Sequence, residues 1–168
     1  MMETDSPVRE IHLNPGDLWF GSGAVRLRTV LGSCISVTLW HPVRHVGGMC
    51  HFMLPGRSRR PDEELSGKYA DEAFLLFDTQ ILLANTRPEE YQAKIFGGGN
   101  MFPGSVVRPE SDVGQRNLET ARRLLAERGM LITGEHVGGA GHRRLLFDVW
   151  SGDAWLSFQD VLPIEEFE

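Results

Sequence analysis

The sequence predicts a single mixed α/β domain of the α+β type, with two main helices laid over a strand-rich mixed sheet. Most of its apolar segments are short, alternate with period two, and are bounded by Gly, Pro, Asn and Ser turns. Only two stretches carry apolar residues at helical spacing. The resulting order, several strands, helix, strand, helix, strands, lacks the regular alternation of a doubly wound parallel sheet. At 168 residues, with 41% hydrophobic and 24% charged residues, the chain can bury one sizeable core without disulfides or metals.

Residues 1–10 are polar and read as a flexible N-terminal segment, residues 11–160 as the domain, and residues 161–168 as an acidic C-terminal tail. Ile11-His12-Leu13, Leu18-Trp19-Phe20 and Ala24 to Leu31 are expected strands, separated by Asn-Pro-Gly and Gly-Ser-Gly turns. Ile35, Val37 and Leu39 alternate with Ser36, Thr38 and Trp40 as in a half-buried strand, and Val46 to Leu54 supplies its partner across a turn at His41 to Arg44. Gly56 to Ser66, rich in Arg, Pro, Asp and Glu, has the profile of an exposed and mobile loop. Ala70, Ala73, Phe74, Phe77, Ile81 and Ala84 predict a helix over about 69–85, stopped at Thr86-Arg87-Pro88. Lys94-Ile95-Phe96 predicts a strand running into Gly97-Gly98-Gly99-Asn100. Ser111 and Asp112 are plausible caps of a second helix whose stripe is Leu118, Ala121, Leu124 and Leu125, and Gly129 ends it. Leu131 to Val137, Leu145 to Trp150 and Ala154 to Phe158 close the domain as strands, the last two joined by Ser151-Gly152-Asp153.

Composition narrows the function. A formal charge of -6 opposes nucleic-acid phosphates, and the basic clusters Arg57-Ser58-Arg59-Arg60 and Arg143-Arg144 are too short to reverse that. No apolar run approaches the length of a membrane helix, and the N-terminal residues lack a signal-peptide pattern, so a cytoplasmic protein without membrane insertion is expected. In that compartment Cys34 and Cys50 are expected as free thiols.

A plain hairpin count joins the two cysteine-bearing strands to a chemistry. If His41 to Arg44 form a four-residue loop, Trp40 pairs with His45 and Cys34 falls opposite His51, with Cβ atoms roughly 4.5–5.5 Å apart. A cysteine beside a histidine can exist as thiolate and imidazolium, a nucleophile with a proton at hand for a departing amine. Gly32 and Ser33 precede Cys34, where a tight turn would bring backbone N–H groups to the oxyanion of a carbonyl substrate. Thr29 is a candidate third member, a hydroxyl able to hold the imidazole in one tautomer. On spacing alone, a buried cysteine is more often just a small apolar residue.

The other conspicuous residues have plainer readings. Cys50 should face away from His51 and pack as a thiol. His41, His45, Cys50 and His51 are dense, but lack the paired spacing of a zinc site, so no metal and no cofactor are expected. Gly97-Gly98-Gly99-Asn100 lacks the residues of a phosphate loop and is expected as a tight turn bordering the site, with Asn100 serving either the turn or a substrate. Arg143 and Arg144 read as a solvated pair at a strand start, with steering of an acidic partner surface as the alternative.

Leu31-Gly32-Ser33-Cys34 followed by Gly47-Gly48-Met49-Cys50-His51-Phe52-Met53-Leu54-Pro55 resembles the chemoreceptor glutamine deamidases, the CheD family. The resemblance continues through Lys94 to Phe102, Gly114-Gln115-Arg116-Asn117, and Gly138-Gly139 with Arg143-Arg144, covering about Leu13 to Phe158. It implies a three-layer α/β/β sandwich, shared with the catalytic domain of cytotoxic necrotizing factor toxins. Residue by residue it implies Cys34 as nucleophile, His51 as its proton-transfer partner and Thr29 as the third catalytic residue. The implied activity is deamidation of glutamine side chains on the cytoplasmic helices of methyl-accepting chemotaxis receptors, near receptor arrays, with hydrolysis of glutamate methyl esters by the same route. A CheC-type phosphatase is a further implied partner, and a purely non-enzymatic role toward it is the competing reading.

Overall fold

The computed structural model describes residues 7–102 and 112–160. Nine strands and two helices build three layers, helices on a five-stranded sheet on a four-stranded sheet. In chain order they are β1 (Arg9–His12), β2 (Leu18–Ser22), β3 (Val25–Leu31), β4 (Ile35–Trp40), β5 (Val46–Cys50), α1 (Ala70–Leu83), β6 (Gln92–Gly97), α2 (Val113–Glu127), β7 (Leu131–Val137), β8 (Gly141–Asp148) and β9 (Ala154–Asp160). The middle sheet has the order β2-β5-β4-β6-β7 and the outer sheet β1-β3-β8-β9. No helix among the described residues is long and apolar enough to cross a membrane.

Alternation along each strand sorts the two cores. Ile35, Val37 and Leu39 of β4, with Cys50, Ala93 and Ile95, face the helices and meet Phe74, Phe77, Leu118 and Leu125. On the reverse face Met49 and Phe96 meet Leu27, Leu31, Leu145 and Phe147 of the outer sheet. β4 is therefore buried on both faces, where the sequence pattern suggested one. Its polar Ser36 and Thr38 are enclosed between the sheets.

The ends of the elements follow local chemistry. Asp112 caps α2, its carboxylate accepting from the Gln115 amide at 3.1 Å, and Gly129 at φ 68° continues the chain after the Arg128 C-cap. Ser111 and the 161–168 tail fall outside the described residues. β1 begins at Arg9, inside the segment expected to be flexible, because parallel pairing with β3 satisfies its backbone. β8 begins at Gly141, four residues before the expected strand, and includes Arg143.

The loop from Gly56 to Ser66, expected as exposed, is tied to α1 by one arginine. Arg57 donates to both oxygens of the buried Glu72 at 2.9 and 3.0 Å, to Glu63 at 3.2 Å, and lies 4.6 Å over the Tyr69 ring. Glu72 also accepts from the Ser66 amide at 2.9 Å, and the Arg57 hydrogen bonds hold its carboxyl below the usual range. Glu72→Ala is expected to raise the rate of tryptic cleavage at Arg57 and Arg59 by about tenfold while far-UV dichroism is unchanged. Equal cleavage rates would show that the loop is held by other contacts.

Candidate active site

Thr29 sits where β3 points into the space between the sheets, and it is 2% exposed. Its Oγ1 lies 2.7 Å from the Leu13 carbonyl oxygen and 2.7 Å from His51 Nδ1. A carbonyl can only accept, so the hydroxyl proton goes to Leu13 and the oxygen accepts from Nδ1–H. That assignment leaves His51 Nε2 without a proton. Nε2 is buried and has no hydrogen-bond partner among the described residues. The backbone of His51 is fixed as well, its carbonyl accepting from the Gly16 amide at 2.7 Å.

Cys34 is half-buried and packs against the same inter-sheet core. The hairpin brings it to His51 in a register two residues away from the simple count. Trp40 pairs with Gly47 and Thr38 with Met49, and the ladder resumes at Ile35 and Phe52. The turn closes through His41 N to Val46 O and His45 N to His41 O, with His45 at φ 53°. Carried along, this register sets Ser36 opposite His51 and makes Cys34 its diagonal neighbour. A slip of two preserves the face, so the two side chains share one compartment although they are not directly opposed. No hydrogen bond joins Cys34 to His51 among the described residues.

Electrostatics differ from a preformed ion pair. Burial pushes the Cys34 thiol up, and burial lowers His51 to about 4, the nearby Asp17 charge opposing that shift in part and His12 adding to it. Both shifts favour neutral groups, a thiol beside an imidazole with a free lone pair. Iodoacetamide alkylation of Cys34 should therefore rise about tenfold per pH unit from pH 6 to 8 as the small thiolate fraction grows. A rate plateau between pH 5 and 7 would instead reveal a thiolate–imidazolium pair.

A glycine turn braces the cysteine. The Gly98 amide donates to Cys34 O at 2.9 Å and the Gly99 amide to Gly32 O at 3.0 Å. Gly97 and Gly98 stand at φ 111° and 69°, and a Cβ on Gly97 would collide with the Cys34 carbonyl. The turn is held in turn by Gly138 N to Gly97 O at 2.9 Å and Asn100 N to Gly139 O at 2.7 Å. Asn100 spends its side-chain oxygen on the Phe102 amide at 2.9 Å, which is the backbone use of an asparagine in a turn. Ser33, Gly99, Asn100, Met101 and Val113 line a cavity of about 230 Å³ beside the cysteine loop. A second cavity, about 570 Å³, lies on the outer sheet around Val30, His142 and Arg144 and is lined by none of Thr29, Cys34 or His51.

Two buried polar residues escaped the sequence reading. Arg143 was expected in solvent beside Arg144, yet it is 1% exposed while Arg144 is exposed. It points inward from β8, donates to His136 Nδ1 at 2.9 Å and Gly138 O at 2.7 Å, and lies 4.6 Å over Phe158. The alternation of β8 around Leu145 and Phe147 carried that signal. Asn117 is fully buried and donates to Met53 O at 2.8 Å and Ser33 O at 3.4 Å. Its signal was a polar residue on the apolar stripe of α2, four residues before Ala121.

The cysteine and histidine residues that suggested zinc are scattered. His41 Nδ1 accepts from the Val43 and Arg44 amides at 3.2 and 3.0 Å, His45 stacks on Trp40, and Cys50 faces the helix layer, its thiol pushed up to about 12 by burial. No three His, Cys, Asp or Glu side chains converge on a metal position among the described residues.

Fold and site define a three-layer α/β/β protein that gathers a cysteine, a histidine and a threonine between and beside its two sheets. The family model for CheD chemotactic sensory transduction matches residues 53–158. A protein of Dechloromonas aromatica named probable chemoreceptor glutamine deamidase CheD 3 is 50% identical over 158 residues, spanning 94% of this chain and 92% of that one. A protein of Pseudomonas savastanoi pv. phaseolicola named probable chemoreceptor glutamine deamidase CheD is 45% identical over 166 residues, spanning 98% and 93%. The chain belongs to the CheD family. Thr29, Cys34 and His51 precede the span of the family model, whereas the alignments to these relatives extend well beyond it. Among solved structures, the hypothetical protein YfiH of Bacillus licheniformis aligns with a TM-score of 0.48 and 16% identity, covering 74% of this chain and 50% of that one.

Proposed function

We propose that this protein is a protein-glutamine glutaminase acting on chemoreceptors, with Cys34 as nucleophile, His51 as proton carrier and Thr29 as the group that orients the imidazole. The names of its relatives support the reaction and its receptor substrate. The observation that carries the residue roles is the 2.7 Å contact of Thr29 with His51, made while the Thr29 proton is committed to Leu13. It leaves one imidazole nitrogen basic and unoccupied in the compartment shared with Cys34.

With both groups neutral at rest, Nε2 takes the thiol proton as Cys34 attacks the side-chain amide carbon of a receptor glutamine. The tetrahedral intermediate collapses when His51 returns that proton to the leaving nitrogen, which departs as ammonia and leaves a thioester. Water, activated by the same nitrogen, hydrolyses the thioester to glutamate and restores the thiol. Backbone N–H groups of the Gly32-Ser33-Cys34 segment would receive the oxyanion. A glutamate methyl ester enters the same sequence with methanol as the leaving group. Regulation of a CheC-type phosphatase by association would need neither Cys34 nor His51.

The test is peptide mass spectrometry of a receptor cytoplasmic fragment after incubation with the protein. Gln to Glu conversion adds about one dalton per site, with ammonia released in equal amount, as this acyl chemistry requires. Unchanged masses across several receptor fragments, with folded protein, would sink the deamidase and leave the phosphatase-binding role.

A further inference from the structure

Asn117 has no place in the reaction above, yet its side chain hydrogen-bonds both the segment before Cys34 and the segment after His51. Its Nδ2 donates to Ser33 O and to Met53 O from a fully buried position on α2. A trans peptide is planar, with its C=O and N–H pointing in opposite directions. Holding Ser33 O against Asn117 therefore turns the N–H of the same peptide, that of Cys34, away from α2.

That N–H is also left unclaimed by the sheet. Gly98 N donates to Cys34 O, and in a regular antiparallel ladder the reciprocal bond would run from Cys34 N to Gly98 O. Gly98 stands at φ 69°, and its carbonyl is instead directed at Gly114, where a Cβ would come within 2.6 Å of it. Cys34 N–H consequently donates to no group among the described residues. A free backbone donor on the nucleophile's own residue is the geometry that receives an oxyanion.

We propose that Asn117 is a positioning residue, which by fixing the Ser33–Cys34 peptide presents the Cys34 N–H as an oxyanion donor. The Ser33 carbonyl anchors that peptide to Asn117, and the Gly32 carbonyl, held by the Gly99 amide, anchors the peptide before it. The inference rests on Cys34 being the nucleophile, and it is independent of which acyl compound is the natural substrate.

Two reactions of Cys34 separate this role from simple support. Alkylation by iodoacetamide occurs at a saturated carbon and develops no oxyanion, whereas acetylation by p-nitrophenyl acetate passes through one. Both are read as mass additions on the Cys34 peptide. In Asn117→Leu, close in size and unable to donate, acetylation should slow by about 10²-fold, the usual effect of losing one oxyanion donor, while alkylation stays within about twofold of wild type. A parallel fall in both rates, or no change in either, overturns the proposal, as does wild-type protein that alkylates readily but does not acetylate. Should Asn117→Leu fail to fold, Asn117→Ala is read by the same pair of rates. Wild-type protein that acetylates but leaves receptor glutamines untouched would refute the receptor reading and leave this one standing.

Discussion

His51→Ala is expected to lower kcat/KM for glutamine deamidation by about 10³-fold, with the loss carried by kcat. General acid–base transfer contributes about 10²- to 10⁴-fold in such reactions. Here the demand on it is high, because burial holds the Cys34 thiol in its neutral form. Without Nε2 the thiol has no acceptor for its proton, and the departing nitrogen has no donor. Thr29→Val should have a smaller effect, about tenfold, since it removes the hydroxyl that selects the tautomer but keeps the base. Single-turnover kinetics on a receptor fragment, with folding checked by dichroism, measure both. Activity of His51→Ala within tenfold of wild type would mean that the proton travels by another group.

The second large effect is expected from a residue that touches no substrate. Gly97→Ala should destabilise the fold by about 3 kcal/mol, the upper range for strained backbone positions. The positive φ of 111° is unfavourable for any L side chain, and the added methyl would meet the carbonyl of Cys34. Relief requires either the turn or the cysteine loop to move. The variant should therefore lose deamidation even at temperatures where it remains folded. Urea denaturation gives the first quantity and receptor-fragment mass spectrometry the second. A change in stability below about 1 kcal/mol would show that the turn tolerates a methyl group without strain.

Much of this site was legible in local pattern. β3 and the stripes of both helices appear where alternation and spacing place them, because each buries one face against a single layer. The compartment shared by Cys34 and His51 followed from hairpin parity, which survives an error of two residues. The register itself was hidden in the turn. His41 folds its ring back onto the Val43 and Arg44 amides, and the turn that results sets Trp40 against Gly47 rather than His45. The division of strands between two sheets was equally hidden. β7 and β8 are adjacent in the chain, yet one lies parallel to β6 and the other antiparallel to β3, a choice made by distant partners. Arg143 and Asn117 were obscured because polar side chains on buried faces defeat a hydrophobic pattern. Their partners are backbone carbonyls and one imidazole, brought near only by the finished fold.

The pairing of β3 with β8 also governs when this site can come into being. Thr29 lies across from Leu145, a separation of most of the chain, while Cys34 and His51 are on the middle sheet's hairpin. All three side chains have left the ribosome once residue 51 and the tunnel's length of chain have been made. The strand that seats Thr29 then has β1 on one edge but still lacks β8 on the other, and such distant pairings form late because their loop closure comes before any reward in contacts. A nascent or truncated chain would thus hold all three proposed reacting side chains with the outer sheet incomplete. Activity of the proposed site is therefore expected only once β8, which supplies none of the three proposed reacting side chains, has been delivered.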